Sequence, residues 1–111
     1  MTSMREFVVS DQRLLILRSL REMTGCSANE SILDECLEAY GHSISRDAVR
    51  TQMRWLEEQG LVTVEEAGSV LVATTTERGV DVASGRARVD GAGLEAEALA
   101  FAHGGFLRSV S

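Results

Sequence analysis

The chain contains no lysine. All eleven basic residues are arginine, set against seventeen acids, for a net charge of −6. That balance counts against a strong nonspecific nucleic-acid binder, which relies on surplus positive charge. No apolar run approaches the roughly 18 residues a membrane span needs, and Met1 to Val9 lacks the apolar segment of a secretory signal. A cytoplasmic protein with no membrane partner is therefore expected. There are only two cysteines, Cys26 and Cys36. Together with His42 and His103 they show neither C-x-x-C nor H-x-x-x-H spacing, so no metal or other cofactor is expected and reduced thiols are the default. No G-x-S-x-G, glycine-rich phosphate loop or carboxylate pair in a plausible cleft occurs, which argues against an enzyme. Long internal repeats are absent as well.

What is there suits one domain with one core: 111 residues, 44% of them apolar. The organising stretch is Ser45 to Thr76. Ser45 can cap a helix by accepting an orphan amide of its first turn, and Ile44 and Val49 are placed for a hydrophobic staple. Val49, Met53 and Leu56 recur at i, i+4 and i+7 and share a face. Gly60 sits where a left-handed residue ends a helix. Leu61 to Glu66 and Val70 to Thr75 are rich in valine and threonine, as strands are, around an Ala67-Gly68-Ser69 turn. Their apolar residues do not settle which face points inward. Arg46, Arg50 and Arg54, four apart, ridge the helix beside its apolar stripe. A ridged helix followed directly by a hairpin is the layout of a winged helix-turn-helix, a mainly α fold with three helices, a two-strand wing and a short fourth helix.

The remaining chain reads as support. Residues 1–9 form a lead-in, 10–86 the winged-helix domain and 87–111 a Gly/Ala-rich tail. A first helix starts either at Ser3, with a capping box to Glu6, or at Ser10-Asp11, and carries Ile16, Leu17, Leu20 and Met23 on its apolar face. Thr24-Gly25 stops it. Ser27 and Glu30 form an S-x-x-E capping box for a second helix with the stripe Ile32, Leu33, Cys36, Leu37 and Tyr40. The short connector His42-Ser43-Ile44 forces a steep crossing, and Ile44 plugs the core and adds a short strand to the wing. Thr76 to Ser84 makes the fourth helix, which depends on packing because Gly79 costs it about 1 kcal/mol of propensity. The tail segment Leu94 to His103, with Leu99 and Phe101, is either a small helix or a frayed end that orders on a partner.

Four segments read together: R-L-L-I-L-R-S-L (Arg13 to Leu20), G-H-S-I-S-R-D-A-V-R (Gly41 to Arg50), W-L-E-E-Q-G-L-V-T-V (Trp55 to Val64) and T-E-R-G-V-D-V-A-S-G (Thr76 to Gly85). In this order they resemble a family of small winged-helix proteins of Mu-like transposable phages and prophages. The resemblance spans roughly residues 10–88. It implies a phage or prophage origin and the winged-helix fold, with no ligand or operator attached.

The expected function is DNA binding, as a transcriptional regulator acting as a homodimer. Arg46, Arg50 and Arg54 would meet phosphates and bases of double-stranded DNA in the major groove, with Thr51, Ser43 and His42 nearby. Against this stands a solvated arginine face paired with Asp47 and Glu58, and a GC-rich coding sequence explains the arginines equally well. The wing is a poor DNA probe, because Glu65 and Glu66 precede its turn and no basic residue lies between Gly60 and Arg78. An adaptor that binds a phage or host protein is the rival reading. Trp55, the only tryptophan, either covers the flank of the core or serves a dimer interface.

Overall fold

A computed structural model describes residues 3–92 of the chain. The first helix, α1 (Met4–Glu22), begins at the earlier of the two candidate starts, where the Ser3 hydroxyl accepts the Glu6 amide at 3.1 Å. Leu14, Leu15, Ile16, Leu17 and Leu20 are all buried. Four consecutive buried residues, Leu14 to Leu17, leave that turn with no solvent face, as in a central helix, and α1 packs on the other three helices and the sheet.

After a single tight turn at Thr24–Cys26 the chain becomes extended, as β1 (Ser27–Asn29). This corrects the expected capping box. Ser27 lies in a strand, pairing with Thr74, and the cap of α2 (Glu30–Ala39) is Asn29, whose side chain accepts the Ile32 amide at 2.9 Å. The α2 stripe is also narrower than expected. Leu33 and Leu37 are fully buried, whereas Ile32 is 40% exposed on the outer face.

Ser45 caps α3 (Arg46–Glu58) by accepting the Ala48 amide. Val49, Met53 and Leu56 are fully buried, as their spacing requires. At the far end Gly60 takes φ +75°, and the amides of Gly60 and Leu61 return to the carbonyls of Glu57 and Leu56. This is a Schellman closure, open to glycine at little steric cost, and it aims the chain into the hairpin.

β2 (Val62–Ala67) and β3 (Val70–Thr75) pair antiparallel around a two-residue turn, Gly68-Ser69, with Ala67 opposite Val70. Val62, Leu71 and Ala73 point into the core. The sheet has three strands in the order β1-β3-β2. Its third strand is β1, not Ile44. Residues 42–45 join the close of α2 to the start of α3 and form no strand. Ile44 does pack against the core.

Thr76 caps α4 (Glu77–Ala83) and also donates to the Gly60 carbonyl at 2.8 Å. Arg78 donates to the Gln59 carbonyl at the end of α3. Gly79 is buried against the hairpin's start: a Cβ there would lie 2.1 Å from the Leu61 carbonyl oxygen. The residue that weakens α4 as an isolated helix is thus the one that lets it approach. Beyond α4, Ala87 and Val89 pack on the core and Ala92 is buried. Residues 93–111, which include the candidate tail helix, lie outside the described residues. No helix among the described residues is long and apolar enough to cross a membrane.

Candidate nucleic-acid interface

Arg46, Arg50 and Arg54 run along α3 beside the buried stripe of Val49, Met53 and Leu56, with Thr51 on the outer side of the ridge and the wing next to it. An open depression of about 630 Å³ between them is lined by Asp47, Arg50, Thr51, Arg54, Trp55, Glu58, Glu66 and Leu71. Its charges are mixed, and each arginine has an acidic neighbour.

The centre of this arrangement is Glu30, a side chain with 0% exposure. It accepts from Arg50 Nε at 2.6 Å and Nη2 at 2.9 Å, and from the Leu71 amide at 2.7 Å. Arg46 Nη1 stands 3.8 Å away. The Arg50 hydrogen bonds hold the Glu30 carboxyl below the usual glutamate range, with burial opposing them and the Leu71 amide assisting. Reciprocally, the Glu30 bond raises Arg50 further above its ordinary value. Arg50 Nη2 also donates to the Ser69 carbonyl in the wing turn at 3.0 Å. Of the five guanidinium donors, the Nε one and those on Nη2 are therefore occupied, and only Nη1 is left for a ligand.

Glu30 is the functional residue that the sequence reading missed. The S-x-x-E pattern gives it to a cap, yet Glu30, Leu33 and Leu37 stand at i, i+3 and i+7, so periodicity alone places the acid on the buried stripe. A buried acid requires a partner, and a ridge of arginines was available.

Arg54 bonds Glu57 at 3.0 Å through Nη1, and its Nη2 lies 3.8 Å from Glu66 of the wing. The expected pairing with Asp47 and Glu58 is thus replaced by Glu30 of α2, Glu66 of the wing and, three residues along the same helix, Glu57. Arg46 and Arg54 remain 45% and 44% exposed.

The other predicted residues divide. Thr51 is exposed, and its hydroxyl donates to the Asp47 carbonyl on its own helix. Ser43 is exposed on the connector. His42 faces inward: Nε2 is 2.6 Å from the buried Asp11 carboxylate and Nδ1 3.5 Å from Gln12 of α1. It ties the connector to the first helix instead of joining the outer face. Trp55 packs on the core, beneath the guanidinium of Arg13 at 3.8 Å from the ring centroid. Arg13 in turn donates to Gln52 at 2.6 Å and to the Gly91 carbonyl at 3.3 Å. Burial pushes the Arg13 pKa down. No group of three or more potential metal ligands occurs among the described residues, and His103 lies outside them.

Two helices joined by a short connector, the second leading straight into a hairpin that lies along its outer face, define a winged helix-turn-helix protein. Comparison with known proteins gives the family: the chain belongs to the ribonuclease R winged-helix domain family, which its residues 14–82 match. It is 57% identical over 86 residues to the uncharacterized protein gp26 of Escherichia phage Mu, covering 78% of this chain and 88% of that one. An uncharacterized protein of Haemophilus influenzae is 52% identical over 77 residues, covering 68% and 74% respectively. No solved structure matches the chain. The phage relationship expected from the four sequence segments is therefore found.

Proposed function

We propose that this winged-helix protein binds double-stranded DNA through α3 and serves phage or prophage gene control as a homodimer. The observation that carries the reading is the pair Arg46 and Arg54. Both guanidiniums stay substantially exposed on the outer face of a helix whose inner face is fully buried. Two turns apart, they are separated by about 12 Å along the axis, comparable to the width of the major groove. In this reading they contact phosphates at its two edges. Thr51 and Ser43 lie between and beside them, and Arg50 contributes only its Nη1. The wing stays out of the minor groove, since Glu65 and Glu66 at its end are exposed.

The acidic wing and the mixed charges of the depression favour a second reading, a protein-binding adaptor. Fluorescence anisotropy of labelled duplexes from the source phage genome, at two salt concentrations, separates the two. The DNA reading expects affinity that falls steeply with salt and is lost in Arg46→Ala/Arg54→Ala, a variant that leaves Arg50 to hold the fold. Absence of binding by the native protein at low salt overturns it.

A further inference from the structure

Resting on the DNA reading, we infer that Glu66 of the wing sets how strongly α3 binds: its carboxylate competes with phosphate for Nη2 of Arg54. Arg54 has two different acidic neighbours. Glu57, one turn along the same helix, accepts from Nη1 in a hydrogen bond of 3.0 Å. Glu66, on β2, stands 3.8 Å from Nη2, beyond hydrogen-bond distance, and its side chain is 76% exposed. The Glu57 bond survives ligand binding, because it uses the other nitrogen. The Glu66 contact is loose and solvated, so an incoming phosphate displaces it and inherits Nη2. An exposed pair of this kind is weak, which makes Glu66 a competitor and not a block.

Strand geometry supplies the control. Successive side chains of a strand point to opposite faces. Glu66 lines the depression with Arg50, Arg54 and Leu71, whereas its neighbour Glu65 does not. The two glutamates carry the same charge one residue apart, but only Glu66 reaches Arg54. Arg50 presents no equivalent opportunity, since its acidic partner Glu30 is fully buried and cannot be displaced without opening the fold.

The test is a set of five proteins, native, E66Q, E65Q, R54A and R54A/E66Q, titrated against one duplex by anisotropy at low and at high salt. E66Q is expected to bind about two- to fivefold more tightly than native at low salt, the range an exposed pair supports. E65Q is expected to gain less than half as much. The E66Q gain shrinks at high salt, which screens the Glu66–Arg54 attraction itself, and it vanishes in the R54A background, as a double-mutant cycle requires of a direct coupling. Equal gains from E65Q and E66Q, or an undiminished gain in R54A, overturn the inference and leave DNA binding standing. Failure of every variant and of native protein to bind at low salt overturns both.

Discussion

Glu30 stands where β1 would have paired with Leu71 had the strand run one residue further, and its carboxylate takes that Leu71 amide at 2.7 Å. The ladder registers Asn29 with Val72 and then ends as the backbone turns into α2. A side chain thus completes a sheet, and the same carboxylate clamps Arg50 of α3. One acid joins α2, α3 and the wing.

That junction predicts a pH dependence. The Glu30 carboxyl is held below its ordinary value in the folded protein, so folding favours its charged form. The resulting stability is fully present above the unfolded glutamate range, near 4.3–4.5, and is lost as pH falls through the folded value. Glu30→Gln is expected to cost about 2 kcal/mol at neutral pH, the scale for weakening hydrogen bonds to a buried charged acceptor. Urea unfolding followed by Trp55 fluorescence should show the gap between native and variant narrowing from pH 6 to pH 3. A gap that stays constant across that interval would remove Glu30 from this role.

Gly79→Ala tests the approach of α4 to the hairpin. Alanine favours a helix over glycine by about 1 kcal/mol, so propensity alone predicts stabilisation. The added methyl would lie 2.1 Å from the Leu61 carbonyl oxygen and 2.3 Å from Thr75 Oγ1. Backbone cannot yield as a flexible side chain does, so the variant is expected to lose about 2 kcal/mol net, or roughly 5–15 °C in Tm. A Tm at or above native would show that α4 moves away freely.

Arg13→Gln addresses the Trp55 flank. The guanidinium covers the indole ring at 3.8 Å and holds Gln52 and the Gly91 carbonyl. Its loss is expected to cost about 1–2 kcal/mol and to wet the ring face. Emission from Trp55, the only tryptophan, should shift to longer wavelength in the folded variant. An unshifted maximum would mean that Trp55 is shielded without Arg13.

Much of the fold was legible because it rests on local rules. The cap at Ser45, the stop at Gly60, the i, i+4, i+7 face of α3 and the tight hairpin are all written in neighbouring residues. β1 was not legible. Three residues, Ser27 to Asn29, carry no alternation long enough to read, and they are extended only because β3 lies beside them. The same limit applies to the site. The arginine ridge is visible in the sequence, but its partners come from α2 and the wing, set by tertiary packing. Glu30 could have been found from its place on the Leu33–Leu37 stripe. The inward turn of His42 toward Asp11 could not, because nothing within thirty residues of His42 announces that contact.

The short strand β1 also governs how the molecule comes together. Its pairing of Ser27 with Thr74 closes the sheet across 47 residues. The helices and the hairpin therefore cannot mature as independent pieces: loop closure on that scale must precede the last strand's gain, which slows the search relative to a purely helical bundle. Once closed, the strand makes the helix pair and the wing a single cooperative unit, and a chain cut before β3 would lose the native conformation of its N-terminal half together with the wing.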